Sequence, residues 1–438
     1  MIRIFAAVWI VVLAVLPASA QIKIEEVTSP GGIKAWLVNE PSIPFIALQV
    51  SFKGGTSLDP VDKAGATNLM VGLLEEGTGN MDAAAFLRAS EELAANFGFR
   101  AQRDAVTISA QVLKSNADDA LALLKRALVA PAFNEVAMNR VRAQVVSGIE
   151  SELQDPQAIA GRRLNEIAFA GPPYSRPQDG TLESVKALTR ADLLAIHQAS
   201  LTKDHLVVGV VGDVTAAELG PMLDALLGDL PAAGAPLPPR VEFGAKGGTT
   251  VVDFGSPQSV AIWAQPAIGI DHPDFMASYV MNHVLGGGGF GSRLTTEIRE
   301  KRGLTYGVYS YMAWLASSDY MGGSVASANG TIKEAIDVVR AEWTRMAEGG
   351  VTPTELEKAK KYMTGSYALR FDGNGKIARI LASMQLDGFS VDYINTRNDR
   401  LNAVTQDDVA RVAVFLASAQ SSYMTAQTIG VDGGNVLR

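Results

Sequence analysis

The 438-residue chain contains no cysteine, so neither disulfide bonds nor thiolate chemistry is available to it. It has four histidines, and none of them has another His or a Glu at the i+3 or i+4 spacing by which one helix face grips a metal ion. A G-x-S-x-G nucleophile elbow is also missing. These absences argue against an independent hydrolytic site. They assign packing or surface roles to His197, His205, His272 and His283.

An excess of positive charge is absent as well. The chain has 38 basic and 46 acidic residues, a net charge of −8, which disfavours a nucleic-acid polyanion as its main partner. Its hydrophobic content of 47% and charged content of 19% are typical of a well-buried globular protein. With no covalent cross-links, stability must come from the core.

Only one long apolar run occurs, and it lies at the start of the chain. Arg3 precedes the apolar segment Ile4 to Leu16, and Ala18-Ser19-Ala20 follows as a small-residue cleavage site. The run is too short for a membrane span and continues into polar residues. We therefore expect a signal peptide, 1–20, cleaved after Ala20, and a periplasmic mature protein. That protein would keep 37 basic and 46 acidic residues, a net charge of −9.

One pattern occurs twice, 216 positions apart. Thr189 with Asp192, and Thr405 with Asp408, each precede an apolar helical pattern, which is a variant of the capping box. A β-rich run ending in glycine follows each helix: Leu206 to Gly212, and Tyr423 to Gly430. Chance recurrence of common capping and strand patterns is the alternative explanation. The constant offset favours duplication.

The starts of the two halves match too. Phe45 to Phe52 alternates, with Ile46, Leu48 and Val50 on one face and Ala47, Gln49 and Ser51 on the other; Val260, Ile262 and Ala264 open the second half in the same way. Residues 231–248 are rich in Pro, Gly and Ala and are typical of a linker.

These patterns predict an N-terminal domain at 21–230 and a C-terminal domain at 249–438. The fold class is α+β. We expect two similar tandem domains, each with a mixed, mostly antiparallel sheet covered on one face by helices, and together enclosing a cleft.

The segment Gly65 to Thr78, GATNLMVGLLEEGT, resembles the part of the pitrilysin/insulinase family of zinc peptidases that carries the inverted H-x-x-E-H motif. The family includes the mitochondrial processing peptidases. In this frame the His, Glu and His positions hold Asn68, Val71 and Gly72. Residues 68 and 72 lie one helical turn apart, and an amide and a hydrogen atom cannot replace two imidazoles. Val71 removes the carboxylate that would deprotonate a metal-bound water.

The family's third metal ligand is expected far downstream on another helix. Glu150 lies near that place, and Glu152 competes with it for the alignment. We interpret both as solvated helical glutamates. The sequence therefore predicts no metal in this chain.

In the second half, the run from Leu285 to Tyr306 resembles the family's C-terminal-domain signature, in which an Arg and a Tyr seven positions apart contact the substrate backbone. They correspond to Arg299 and Tyr306. We expect a helix from about Ser292 to Gly303 and a strand from Leu304 to Met312, so that both side chains point into one groove. The alternative is a cation at a helix C-terminus and an ordinary strand tyrosine.

Four consecutive glycines precede that helix. They resemble the glycine-rich substrate loop of non-catalytic subunits in related processing peptidases, and a simple turn between helices is an equally good interpretation. The Gly-Lys-Ser/Thr ending of a phosphate loop is absent. The candidate substrate-binding glycines are Gly286, Gly287, Gly288 and Gly289.

The resemblance extends over nearly all of the mature chain. Pro173 to Pro177, with Gly180, is similar to the family's segment before the helix that begins after Thr189. A rigid loop that only spaces its neighbours would have the same composition. We assign no function to this segment.

The resemblance implies a division of labour. A homologous chain with an intact H-x-x-E-H motif would supply zinc and the general base, and this chain would hold the peptide substrate in a heterodimer or a larger assembly. It would have no cofactor and no peptidase activity of its own. The first alternative is a peptide-binding or structural scaffold without a peptidase partner. The second is a self-sufficient metallopeptidase with unusual ligands.

Overall fold

A computed structural model describes residues 22–417 and 427–432. Eight strands and eight helices of the described chain precede residue 231. The strands are β1 (Glu25–Thr28), β2 (Lys34–Asn39), β3 (Phe45–Lys53), β4 (Gly77–Thr78), β5 (Met81–Asp82), β6 (Asn96–Ala101), β7 (Ala105–Leu113) and β8 (Leu206–Gly212). The helices are α1 (Ala66–Val71), α2 (Ala83–Glu92), α3 (Ala117–Val129), α4 (Glu135–Glu152), α5 (Pro156–Ala168), α6 (Leu182–Ala187), α7 (Arg190–Ser200) and α8 (Ala216–Leu227).

The second half of the described chain repeats the mixture of strands and helices. Its strands are β9 (Gly248–Asp253), β10 (Gln258–Pro266), β11 (Val308–Leu315), β12 (Ser318–Ala328) and β13 (Gln427–Asp432). Its helices are α9 (Phe275–Asn282), α10 (Ile332–Gly349), α11 (Pro353–Gly365), α12 (Asn374–Leu386), α13 (Tyr393–Ala403) and α14 (Gln406–Ala417). Within the described residues no helix is both long and apolar enough to cross a membrane.

Each half has its own mixed sheet. The first has the strand order β1-β2-β8-β3-β7-β6, and the second has the order β11-β12-β10-β13-β9. Read from β9, the second sheet repeats the order of the first from β2 onward. In each sheet one pair is parallel, β2 with β8 and β9 with β13, and the other pairs are antiparallel. The predicted fold class is confirmed.

The repeated capping pattern also occurs as predicted. Thr189 and Asp192 form a reciprocal capping box at the start of α7. At the start of α14, the Thr405 amide donates to the Asp408 carboxylate at 2.9 Å, and the Asp408 amide donates to the Thr405 hydroxyl at 3.1 Å. The strand β8 after the first helix spans the predicted residues. Tyr423, the start predicted for the second strand, lies outside the described residues, as does the expected signal peptide.

Helices cover both faces of the first sheet, whereas the sequence predicted them on one face, and the helix on the second face comes from the other half of the chain. Helix α12 packs on β3 and β8, where its Leu381 shares an apolar cluster with Ala47 and Val211. The polar face predicted for β3 is therefore buried, and Gln49 is 6% exposed. Reciprocally, Leu164 of α5 packs on β10 in the second sheet.

A buried tyrosine joins the two halves at the edge of their cleft. The Tyr174 hydroxyl donates to Asp104 Oδ1 at 2.8 Å and accepts from the Ser317 amide at 2.8 Å. Asp104 Oδ2 also accepts from the Ala316 amide at 3.1 Å. The loop from Pro173 to Pro177, to which the sequence assigned no function, therefore positions a tie between the domains.

The predicted linker has no helix or strand between residues 231 and 247. It is nevertheless packed against the protein, because Phe243 and Ala245 are buried beside Phe169. The boundaries at 230 and 249 stay predictions of the sequence.

We predict that Gly209→Ala destabilises the protein. A Cβ at Gly209 in β8 would lie 2.4 Å from the Ala378 carbonyl oxygen and 2.9 Å from the Leu381 Cβ, so α12 would have to move. Overpacking of this kind costs about 1–3 kcal/mol of unfolding free energy. Urea unfolding would measure the change.

Gly148→Ala in α4 is the matched control, because a Cβ there meets nothing within 4 Å. Removing a helical glycine should stabilise the protein by roughly 0.5–1 kcal/mol. Equal effects of the two substitutions would contradict the close approach of α12 as the cause.

Candidate functional site

The inverted-motif positions lie on α1 and at its end. Asn68 is partly buried, Val71 is 2% exposed within the first-domain core, and Gly72 is the C-cap residue that follows the helix. A Cβ at Gly72 would lie 3.2 Å from Val141 Cγ1 of α4. Helix α4 therefore packs closely against this position and leaves little room for a larger side chain.

Asp59 anchors the start of α1. Its carboxylate accepts hydrogen bonds from the Gly65 amide at 2.8 Å, the Thr67 amide at 2.9 Å and the Thr67 hydroxyl at 2.6 Å. Gly65 has a φ of +89°, and a Cβ there would lie 2.6 Å from the Asp179 carbonyl oxygen, so only glycine fits. These contacts hold the helix in place without a metal.

The donor set near α1 does not fit zinc. Asn68, Val71 and Gly72 offer one amide and no imidazole, thiolate or carboxylate. Glu150 is exposed, and Glu152 lies 3.5 Å from Arg162. Within residues 22–417 and 427–432, no three His, Cys, Asp or Glu side chains come close enough together to hold a metal ion.

The glycine run forms two tight turns between α9 and the next helical segment. A π-helical turn, His283–Gly287, leads into a 3-10 turn, Gly289–Gly291. A Cβ at Gly286 would lie 2.5 Å from Ser310 Oγ, and Gly289 has a φ of +60° with nothing within 4 Å of a Cβ. Packing against Ser310 therefore explains why residue 286 is a glycine, whereas a side chain at residue 289 would point into open space.

The structure joins Arg299 to the glycine run. Arg299 lies in the helical segment Thr295–Glu300, and its guanidinium carbon is 4.6 Å from the ring centroid of Phe290, which follows Gly289. Phe290 is 72% exposed. A cation and an aromatic ring thus form one surface feature beside the run.

The placement predicted for Tyr306 is wrong in one respect. Gly303 ends the helical segment with a φ of +64°, as expected, but the strand begins at Val308 and not at Leu304. The Thr305 hydroxyl accepts from the Gly307 amide at 3.0 Å and lies 2.5 Å from the Ala326 carbonyl oxygen of β12, so a side chain bonds to the neighbouring strand here in a local turn, in place of backbone pairing. Tyr306 lies in this turn and is 92% exposed, and it has no hydrogen bond or ring contact with the described residues. No contact joins it to Arg299.

The four histidines lie apart from one another. His197 and His205 are buried, and His197 Nε2 is hydrogen-bonded to a backbone carbonyl at 2.8 Å. His272 is on the surface, where its Nδ1 accepts from a backbone amide at 3.0 Å. His283 lies at the glycine run, with its ring stacked on Tyr362.

Two profiles of one peptidase family match the chain. The profile described as Insulinase (Peptidase family M16) matches residues 34–181, and the one described as Peptidase M16 inactive domain matches residues 187–363. The chain belongs to the M16 insulinase family. The first M16 match contains the inverted-motif positions, and the second contains the glycine run, Arg299 and Tyr306.

Similar M16 proteins cover most of this chain. Non-peptidase homolog YmxG of Helicobacter pylori is 29% identical over 75% of this chain and 76% of its own length. The probable mitochondrial-processing peptidase subunit beta of Schizosaccharomyces pombe is 24% identical over 89% of this chain and 88% of its own. The structure of a peptidase M16 inactive domain from Pseudomonas fluorescens has a TM-score of 0.88 and 25% identity, and it covers 95% of this chain and 99% of its own. Together with the inverted-motif positions, these likenesses make the chain an inactive M16 member.

A third profile, described as Enoyl-(Acyl carrier protein) reductase, matches residues 381–435. The described part of that segment completes the second M16 domain, because Leu381, Tyr393 and Leu401 belong to its apolar cluster and β13 lies within its sheet. The match therefore adds no separate reductase domain.

Sequence reasoning missed three charged residues that matter here: Asp59, Asp104 and Arg397. Asp59 precedes α1 by several residues, so no local capping pattern reveals it. Asp104 accepts from Tyr174 and Ala316, and Arg397 in α13 donates to the Met363 carbonyl oxygen, so their partners are far away in the chain. A single sequence contains no signal for such contacts.

We predict that Asp59→Asn destabilises the first domain by about 1–3 kcal/mol, because the Asn amide group would face a backbone donor that now has an acceptor. Burial raises the pKa of Asp59 to about 6, against the opposing hydrogen bonds from Thr67 and Gly65 and the charge of Arg176. Because the pKa of Asp59 is higher in the folded than in the unfolded protein, the protonated form of this carboxyl group favours folding. The stability that Asp59 contributes in this way is present below about pH 4 and is lost as the pH rises through about 6. The cost of the substitution should therefore be larger near pH 4 than near pH 7.

Urea unfolding of both proteins across that range would measure the difference. Asp62→Asn, at an exposed position three residues further along, serves as the control and should change little. A cost that grows with pH would contradict the raised pKa.

Proposed function

We propose that this chain is the non-catalytic, substrate-binding subunit of a periplasmic M16 zinc peptidase that acts on peptides. The observation that supports this proposal most is the combination of a complete two-domain scaffold with Asn68, Val71 and Gly72 at the inverted-motif positions. A homologous partner with an intact motif supplies zinc. Zinc bound there would activate a water and polarise the peptide carbonyl.

The aromatic and cationic surface beside the glycine run supports a binding role. Tyr306 is 92% exposed and Phe290 is 72% exposed, and Arg299 lies against Phe290. An exposed aromatic ring with an Arg stacked on it is typical of surfaces that bind another molecule, and Tyr306 adds a second exposed ring on the same segment of the chain. Arg299 can donate to peptide carbonyls or to a carboxylate, and the Tyr306 phenol can donate to a carbonyl.

Both sheets end in a strand that an extended peptide could join. Strand β6 stands at one end of the first sheet, and β11 stands at one end of the second, directly after the Tyr306 turn. An end strand has unpaired N–H and C=O groups along one side, to which a peptide can add as a further strand. Only an unfolded segment or a short peptide can adopt this extended conformation, which supports peptides of that kind as the substrates.

A second candidate function is a peptide-binding or structural scaffold of the same fold with no peptidase partner. The name of the Helicobacter pylori relative, a non-peptidase homolog, favours it. The two functions differ in whether a chain with an intact H-x-x-E-H motif copurifies with this protein.

The deciding experiment purifies the native complex and then assays zinc content and peptide hydrolysis for each chain alone and for the mixture. We expect neither stoichiometric zinc nor hydrolysis in this chain alone, and more hydrolysis in the mixture than in the partner alone. Chelator-sensitive hydrolysis by this chain alone would overturn the proposal. Purification without any intact-motif chain would favour the scaffold.

Within the mixed complex, Arg299→Ala should lower kcat/KM by about ten- to a hundredfold, because a hydrogen bond from a charged group contributes roughly 1.5–3 kcal/mol. Zinc content should stay the same, since this chain holds none of the ligands. Lys301→Ala is the control. It removes an exposed cation that pairs with Glu297 at 2.6 Å on the same turn. An unchanged rate for Arg299→Ala would remove that residue from the site.

A further inference from the structure

A cavity of about 440 Å³ lies between α9 and α11, and Gly287, Gly288 and Gly289 form one wall. Its volume is within the range of pockets that bind small ligands. Neither Arg299 nor Phe290 lines it, whereas His283, whose ring stacks on Tyr362, does.

The duplication gives this cavity a counterpart. Helix α1 follows strand β3 as α9 follows β10, and α4 and α11 occupy matching places later in each half. In the first domain, α1 and α4 meet where Gly72 faces Val141, at the degenerate motif. The cavity therefore lies where the second domain repeats the site that has lost its metal ligands.

A buried arginine reaches this cavity without a carboxylate partner. Arg397 is 4% exposed, and its Nη1 donates to the Met363 carbonyl oxygen at 3.2 Å and to Asn398 Oδ1 at 3.0 Å. Its guanidinium carbon lies 4.3 Å from the ring centroid of Tyr367 and 5.7 Å from that of Tyr279. Its Nε and Nη2 have no hydrogen bond, and it has no ion pair, with the residues that the structure describes.

Arg293, by contrast, is a buried arginine with a carboxylate partner. Arg293, 8% exposed, has both oxygens of Glu355 at 2.7 and 2.8 Å. Burying a guanidinium group costs free energy unless an anion pairs with it. Arg397 has only neutral partners and tyrosine rings among the described residues, so its remaining N–H groups can donate to an anion.

The rest of the cavity lining has the same sign of charge. Arg370, an exposed residue after α11, lines it too, and no Asp or Glu of the described residues does. In a chain with a net charge of −8, a lining whose described residues include two guanidinium groups and no carboxylate is a local departure from the overall balance. Two planar donors of this kind match the oxygens of a carboxylate.

We propose that this cavity binds a carboxylate group of a peptide, either an acidic side chain or a C-terminus, through Arg370 and Arg397. The peptide source rests on the proposed function, and the anion site itself does not. Gly287 to Gly289 leave the wall free of side chains, so the peptide backbone can approach closely. The substrates of this subunit are therefore peptides with acidic groups.

The test uses the purified chain alone, with binding measured by calorimetry. The probes are Ala-Ala-Glu, its analogue without carboxylates Ala-Ala-Gln-amide, and inorganic phosphate. We expect Ala-Ala-Glu to bind and the amide to bind much more weakly. Arg370→Ala should weaken the binding of Ala-Ala-Glu about tenfold, because it removes one charged donor from an exposed position where folding is not at stake.

Arg340→Ala is the matched control, since it removes an exposed cation on α10 that lies 4.0 Å from Asp337. It should leave binding unchanged. Equal affinity for the acidic and amide peptides, or an unchanged affinity in Arg370→Ala, would overturn the proposal. Binding of phosphate without binding of Ala-Ala-Glu would overturn the assignment to a peptide.

This binding needs neither zinc nor a partner, so its outcome is separate from that of the mixed-complex assay. If the chain alone binds Ala-Ala-Glu but the mixture shows no hydrolysis, the anion site is supported and the peptidase role is rejected. If the mixture hydrolyses peptides but the chain alone does not bind Ala-Ala-Glu, the peptidase role is supported and the anion site is rejected.

Discussion

The exchange of helices between the two halves is the constraint on which the rest of the structure depends. Helix α12 covers the second face of the first sheet, and α5 packs on the second sheet. Separating the halves would expose the apolar cluster that Leu381 forms with Ala47 and Val211, which costs free energy in proportion to the area exposed. At Gly209, α12 leaves no room for a side chain.

This arrangement explains how an M16 chain can lose its metal ligands and keep its shape. Asp59 holds the start of α1 through backbone amides, and Val71 belongs to the core of the first domain. Neither contact depends on an ion at residues 68 and 72. Structural zinc sites contribute directly to folding, whereas here the core and the helix exchange supply the stability.

Particular residues show how far one sequence leads. The capping boxes at Thr189 and Thr405 and the strand at Leu206 were predictable, since they depend on neighbours within a few positions. The start of the strand after Arg299 was not, because Thr305 forms a local turn that competes with strand pairing. The buried second face of β3 was hidden as well, since a helix more than three hundred residues away covers it.

The sequence by itself determined the family, the duplicated α+β architecture and the absence of zinc ligands at the inverted motif. Each follows from residue identity or from short-range periodicity. Only the tertiary structure decided what surrounds each charge: that Asp104 and Tyr174 tie the domains together, and that Arg397 is buried beside the glycine run with no carboxylate partner in the described part of the chain. The physical reason is that burial and pairing depend on contacts between distant segments. A pattern within one segment contains no information about which distant segment will pack against it.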